Sequence, residues 1–77
     1  MEESDHFRDM LNERGICSEW VSRAISEPDD TEEHDDGTRH YLKRIPEHKN
    51  RWLRVIVSVE SDKGVTTFFD RRLRERS

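Results

Sequence analysis

Residues 51–60 read Arg-Trp-Leu-Arg-Val-Ile-Val-Ser-Val-Glu, the segment of the chain richest in β-branched side chains. Such a run packs best on a pleated sheet, so Arg51 to Glu60 is expected as the central strand. Strand alternation sets Leu53, Val55, Val57 and Val59 on one face and Trp52, Arg54, Ile56 and Ser58 on the other. Downstream, Ser61-Asp62-Lys63-Gly64 has the composition of a type I turn with a bulge, Gly64 taking the positive φ. Residues 65–70, VTTFFD, then return as an antiparallel strand, with either Thr66, Phe68 and Asp70 or Val65, Thr67 and Phe69 on the second face. A basic tail, residues 71–77, closes the chain.

Working upstream, the loop PEHKN starts at Pro46, which stops a strand over Thr38–Ile45. The register of that strand stays open, because Tyr41 and Ile45 point one way and Leu42 the other. Asp36-Gly37 is a hairpin signal, and the acidic residues before it favour at most a weak edge strand at about 31–35, or a loop. Further upstream the period changes from two to 3.6. Phe7, Met10 and Leu11 define a helix over about 5–14, capped by Ser4 or Asp5 and ended by Gly15. Trp20, Val21, Ala24 and Ile25 define a second over about 19–26, with Ser18 as its cap and Pro28 beyond its end. Both helices are too short to stand alone and must bury their stripes on the sheet. The expected fold is a single α+β domain, residues 1–77, with two short N-terminal helices on one face of a three- to four-stranded antiparallel meander, order α-α-(β)-β-β-β.

Composition narrows the function classes. The 77 residues are 42% charged and 30% hydrophobic, so the core is thin and a large enclosed pocket is not expected. Apolar runs are far shorter than a membrane span needs, and the opening MEESD lacks a basic signal-peptide region, which points to a cytoplasmic protein without membrane contact. One cysteine, Cys17, allows no intrachain disulfide and has no evident paired base. Histidines at 6, 34, 40 and 48 lack zinc-ligand spacing, and the acidic residues 29–36 lack that of a calcium loop, so neither metal nor cofactor is expected. The net charge of −4 divides unevenly: residues 1–38 carry 13 acids and 3 arginines (−10), and residues 39–77 carry 11 cations and 5 acids (+6). That asymmetry fits either two halves neutralising each other or a basic face for an anionic partner.

The opening His6-Phe-Arg-Asp-Met10-Leu-Asn-Glu-Arg14-Gly15-Ile16, then Arg39-His40-Tyr41 and Leu53 to Val57, and the close Thr66-Thr67-Phe68-Phe69-Asp70-Arg71-Arg72 resemble the bacterial domain-of-unknown-function family DUF4258 over nearly the whole chain. The order of elements in that family is in turn similar to RelE and ParE toxin-like folds, in which one face of a small sheet cleaves RNA or binds a partner. This second likeness is one of fold alone. It implies metal-independent RNA cleavage, with His6 and His40 moving protons, Arg54 fixing a phosphate, Thr66 donating to it and Asp70 orienting a histidine or arginine. Arg14, Arg39, Tyr41, Lys43, Arg71 and Arg72 would bind phosphate or stack on bases. Beside that enzyme stands an interaction module, whose sheet face at Trp52, Ile56 and Phe68 would bind an antitoxin-like protein, an RNA or a second copy of the chain. A third reading is a phosphate or nucleic-acid sensor without cleavage. The nuclease reading needs His6, Arg54, Thr66 and Asp70 in one groove.

Overall fold

The computed structural model describes residues 3–73. Helix α1 spans Asp5–Arg14, its first turn closed by Ser4, whose Oγ accepts from the Phe7 N–H at 3.2 Å. Gly15 ends it at φ 64°, and the Gly15 and Ile16 N–H groups return to the carbonyls of Asn12 and Leu11. Helix α2 spans Ser18–Ser26. Its cap position falls on Cys17, which makes no side-chain capping bond, so Ser18 is the first helical residue rather than the cap.

The sheet is a meander of β1 (Asp30–Glu33), β2 (Thr38–Ile45), β3 (Arg51–Ser58) and β4 (Lys63–Phe69), all antiparallel and in chain order. The acidic segment does form an edge strand, Glu32 pairing with His40 and Asp30 with Leu42. Strand β3 ends at Ser58, two residues short of the expected boundary. The turn closes there through the Asp62 N–H on the Ser58 carbonyl at 2.8 Å, leaving Val59 51% exposed instead of in the core. Asp62, not Gly64, takes the positive φ of that turn. Gly64 pairs with Val57 and Thr66 with Ile56, so Val65 is the extra residue of a bulge.

One face of the sheet receives both helices. Phe7, Leu11, Ile16, Val21 and Ala24 meet Ile45, Leu53, Val55 and Val57 in a single core, with Tyr41 and Phe69 packed against it. Burying a side chain such as Phe7 or Leu53 this fully stabilises by about 1.5–3 kcal/mol each. Tyr41 pairs with Val55 and Leu42 with Arg54, which settles the register of β2: Tyr41 and Ile45 turn to the helices, and His40 and Leu42 to the second face. Much of the charge division resolves here too. Glu33 pairs with Arg39, Asp29 with Lys43 at 3.6 Å, and Glu32 with Arg54 at 2.9 Å, so acids of the first half neutralise cations of the second.

Candidate functional site

The second face was expected to present Trp52 and Arg54 to a partner. Both are buried. Trp52 lies under its cross-strand neighbour Arg44, whose guanidinium carbon sits 5.2 Å from the ring centroid. A single 3₁₀ turn, Arg71–Leu73, follows β4 and brings Leu73 into the same depression as Ile56. The part of the tail inside the described residues therefore turns back onto this face. The rest of the basic tail, residues 74–77, lies outside them.

What remains open on this face is a shallow depression of about 410 Å³ lined by Glu32, His34, His40, Arg54, Ile56, Phe68, Asp70, Arg72 and Leu73. Arg54 is its centre. Its Nε donates to Asp70 Oδ2 at 2.8 Å, and its Nη1 donates both to Glu32 Oε1 at 2.9 Å and to His40 Nδ1 at 2.7 Å. With two donor directions committed, the planar guanidinium has little rotational freedom. Asp70 also receives the Arg72 side chain at 3.1 Å, and the two cations hold its carboxyl at about 2, Arg72 contributing more than Arg54. Glu32 is likewise held below its ordinary value, first by the Arg54 hydrogen bond and then by His34, whose Nε2 lies 3.1 Å away.

His34 and His40 stack with ring centroids 3.7 Å apart. Burial, followed by the charges of His34 and Arg54, lowers the pKa of His40 and keeps its ring neutral near pH 7. Because Arg54 can only donate, His40 Nδ1 accepts and the proton of the neutral ring belongs on Nε2. His40 thus keeps its remaining N–H on Nε2, while Glu32 is the ionised acceptor.

Glu32, His34 and His40 each put one potential ligand atom within 4.8 Å of the others. The donor set would suit a transition metal. Arg54 Nη1, however, already donates to two of the three, so a fixed positive charge stands where a divalent ion would bind, and His40 Nδ1 is committed.

The residues expected to act together fall into two groups. Arg54, His40, Asp70 and Arg72 share the sheet depression with Phe68 and Ile56. His6 and Arg14 sit instead on α1, lining a separate groove with Asp9, Met10, Glu13, Val65 and Thr66. There Arg14 Nη1 donates to the Thr67 carbonyl at 2.7 Å and Thr66 Oγ1 at 3.3 Å, and Thr66 Oγ1 lies 3.2 Å from Met10 Sδ. The bulge at Val65 accompanies this departure of Thr66 from the groove that Phe68 and Asp70 line. Arg39, Tyr41 and Lys43 pair with Val57, Val55 and Leu53 and so belong to the helix-side face. Arg71 lies beside Trp52 in a further cavity. Glu32 and His34 are the members that sequence reasoning did not select. The only signal for them was the Asp36-Gly37 hairpin, which folds residues 30–33 onto 39–42.

A two-helix, four-stranded antiparallel meander with an arginine-centred ion-pair cluster on its open face makes this a small α+β domain. The chain belongs to the family described as Domain of unknown function (DUF4258), which matches residues 4–69. No curated protein and no solved structure gives a match.

Proposed function

We propose that this domain binds single-stranded RNA on the open sheet face and cleaves it by metal-independent transphosphorylation at the Glu32–His40–Arg54 cluster. The observation that carries the reading is the double donation of Arg54 Nη1 to Glu32 and His40 with Nε anchored on buried Asp70. A base, a neutral N–H donor and a guanidinium thereby share one open depression. This is what attack of a ribose 2′-oxygen on its own phosphodiester requires: an acceptor for the hydroxyl proton and cations for the pentacoordinate phosphorus.

In that reaction Glu32 takes the 2′-hydroxyl proton as the 2′-oxygen bonds to phosphorus. Arg54, the His40 Nε2–H and the 81% exposed Arg72 face the non-bridging oxygens. The bond from phosphorus to the 5′-oxygen breaks, that oxygen takes a proton from water, and the products are a 2′,3′-cyclic phosphate and a free 5′-hydroxyl. Toxin-like folds with a similar order of elements offer an analogy, of fold alone, for using such a face. Relative to the sequence expectation, this reading moves the base from His6 to Glu32.

The test is cleavage of a fluorescently labelled, unstructured RNA by wild type, Glu32→Gln, His40→Ala and His6→Ala, with folding followed by circular dichroism. Glu32→Gln is expected to slow cleavage by about 10²–10⁴-fold, His40→Ala by less, and His6→Ala little. Intact RNA with the folded wild type, or undiminished cleavage by Glu32→Gln, would overturn the reading.

A further inference from the structure

Beside the depression lies a smaller, more enclosed cavity of about 230 Å³, walled by Arg51, Trp52, Phe69, Asp70 and Arg71. Asp70 belongs to the wall of both, and of the consecutive residues Arg71 and Arg72 one lines each. Building on the reading above, we infer that this cavity is a subsite for the neighbouring nucleotide of the bound RNA strand, its base against Trp52 and Phe69 and its phosphate between Arg51 and Arg71.

Three observations support that occupant. The first is size: the volume lies below the roughly 300–1,000 Å³ of a drug-sized site, enough for a planar base and part of its sugar. The second is the lining. Phe69 is fixed by its own stacking, His48 lying parallel to it at 4.2 Å and Trp20 edge-on at 5.9 Å, and Arg44 fixes Trp52, so both rings are preset instead of being ordered on binding. The third is charge. Arg51 and Arg71 make no ion pair with another described residue, unlike Arg23, Arg39, Arg54 and Arg72. Among the described residues of the wall the one carboxylate, Asp70, is already neutralised by Arg54 and Arg72 and does not oppose a phosphate. A planar ring joined to an anion matches preset aromatic walls flanked by two guanidiniums that have no ion pair among the described residues.

The experiment uses Trp20→Phe, which leaves Trp52 as the reporter, titrated with uridine, uridine 5′-monophosphate, inorganic phosphate and a 5′-phosphorylated 2′-O-methyl uridine dinucleotide that cannot be cleaved. Saturable quenching is expected with the monophosphate, tighter with the dinucleotide, and weak with uridine or phosphate alone. Arg51→Ala with Arg71→Ala should weaken the monophosphate at least tenfold in a folded protein, while Glu32→Gln should not move it. Absence of saturable quenching, equal response to inorganic phosphate, or indifference to the arginine pair would overturn the subsite. Quenching by a protein that fails to cut RNA would sustain the subsite and sink only the cleavage chemistry; cleavage without quenching would do the reverse.

Discussion

Arg54 on β3 and Asp70 just past the end of β4 form an ion pair of 2.8 Å whose side chains are only 8% and 3% exposed. Each also holds a partner that reaches the surface, Glu32 for Arg54 and Arg72 for Asp70. A buried pair of this kind joins the stability of the domain to the geometry of its open face.

Removing one partner should therefore be costly. Asp70→Asn removes the buried partner of Arg54 and leaves only the partly exposed Glu32 opposite it, and a loss of about 3 kcal/mol is expected in urea unfolding. The double variant Arg54→Met, Asp70→Leu should regain most of that stability because neither charge is then buried alone. It should not regain RNA cleavage, which separates the structural role of the pair from its chemical one.

Acid should weaken the fold through the same residue. Asp70 titrates at about 2 in the folded protein, below its ordinary 3.8, so the folded state binds its proton less readily than the unfolded chain. Its contribution, about 2 kcal/mol, is complete above pH 4 and disappears as pH falls toward 2. The urea midpoint of wild type should drop across that window, and the drop should be shallower in a folded Asp70→Asn protein; equal slopes would refute the assignment.

His40 should remain neutral below the pH at which a free histidine titrates. NMR of its imidazole should give a midpoint under 6.5 and nitrogen shifts of the Nε2–H tautomer, because burial and the Arg54 donor both oppose the cation. Stability linked to this residue is present above its unfolded pKa and diminishes as pH falls through it. An Nδ1–H tautomer would contradict the hydrogen bond to Arg54.

Gly15 offers a purely conformational test. No heavy atom stands within 4 Å of the place where a Cβ would be, but its φ is +64°. Gly15→Ala should cost about 1 kcal/mol through backbone strain alone. Thermal unfolding should show the decrease with the circular dichroism spectrum unchanged.

Much of the fold was legible because its signals are local. The 3.6 period of Phe7, Met10 and Leu11, the stop at Gly15, the β-branched run around Val55 and the hairpin dipeptide Asp36-Gly37 each act within a few residues. The site was less legible. Arg54, His40, Asp70 and Arg72 were legible by residue type, but alternation left the face of Asp70 open, and the register that sets Arg54 opposite Phe68 puts Asp70 beside it. Glu32 and His34 were passed over because they stand in an acidic stretch that resembles a solvated loop. The exposed role expected for Trp52 ignored Arg44, which only the register of β2 against β3 places over its ring.

By itself the sequence determined the order of helices and strands, the face of β3 that enters the core and the family, since these depend on period, turn chemistry and motif. Tertiary structure alone decided that Glu32 meets His40 and Arg54, that His6 and Thr66 lie in a groove apart from them, and that Val65 bulges. Those relations depend on strand register and on packing between residues distant in the chain. A shift of one residue would turn each side chain to the opposite face, and what forbids it is the burial of one apolar face against helices distant in the chain.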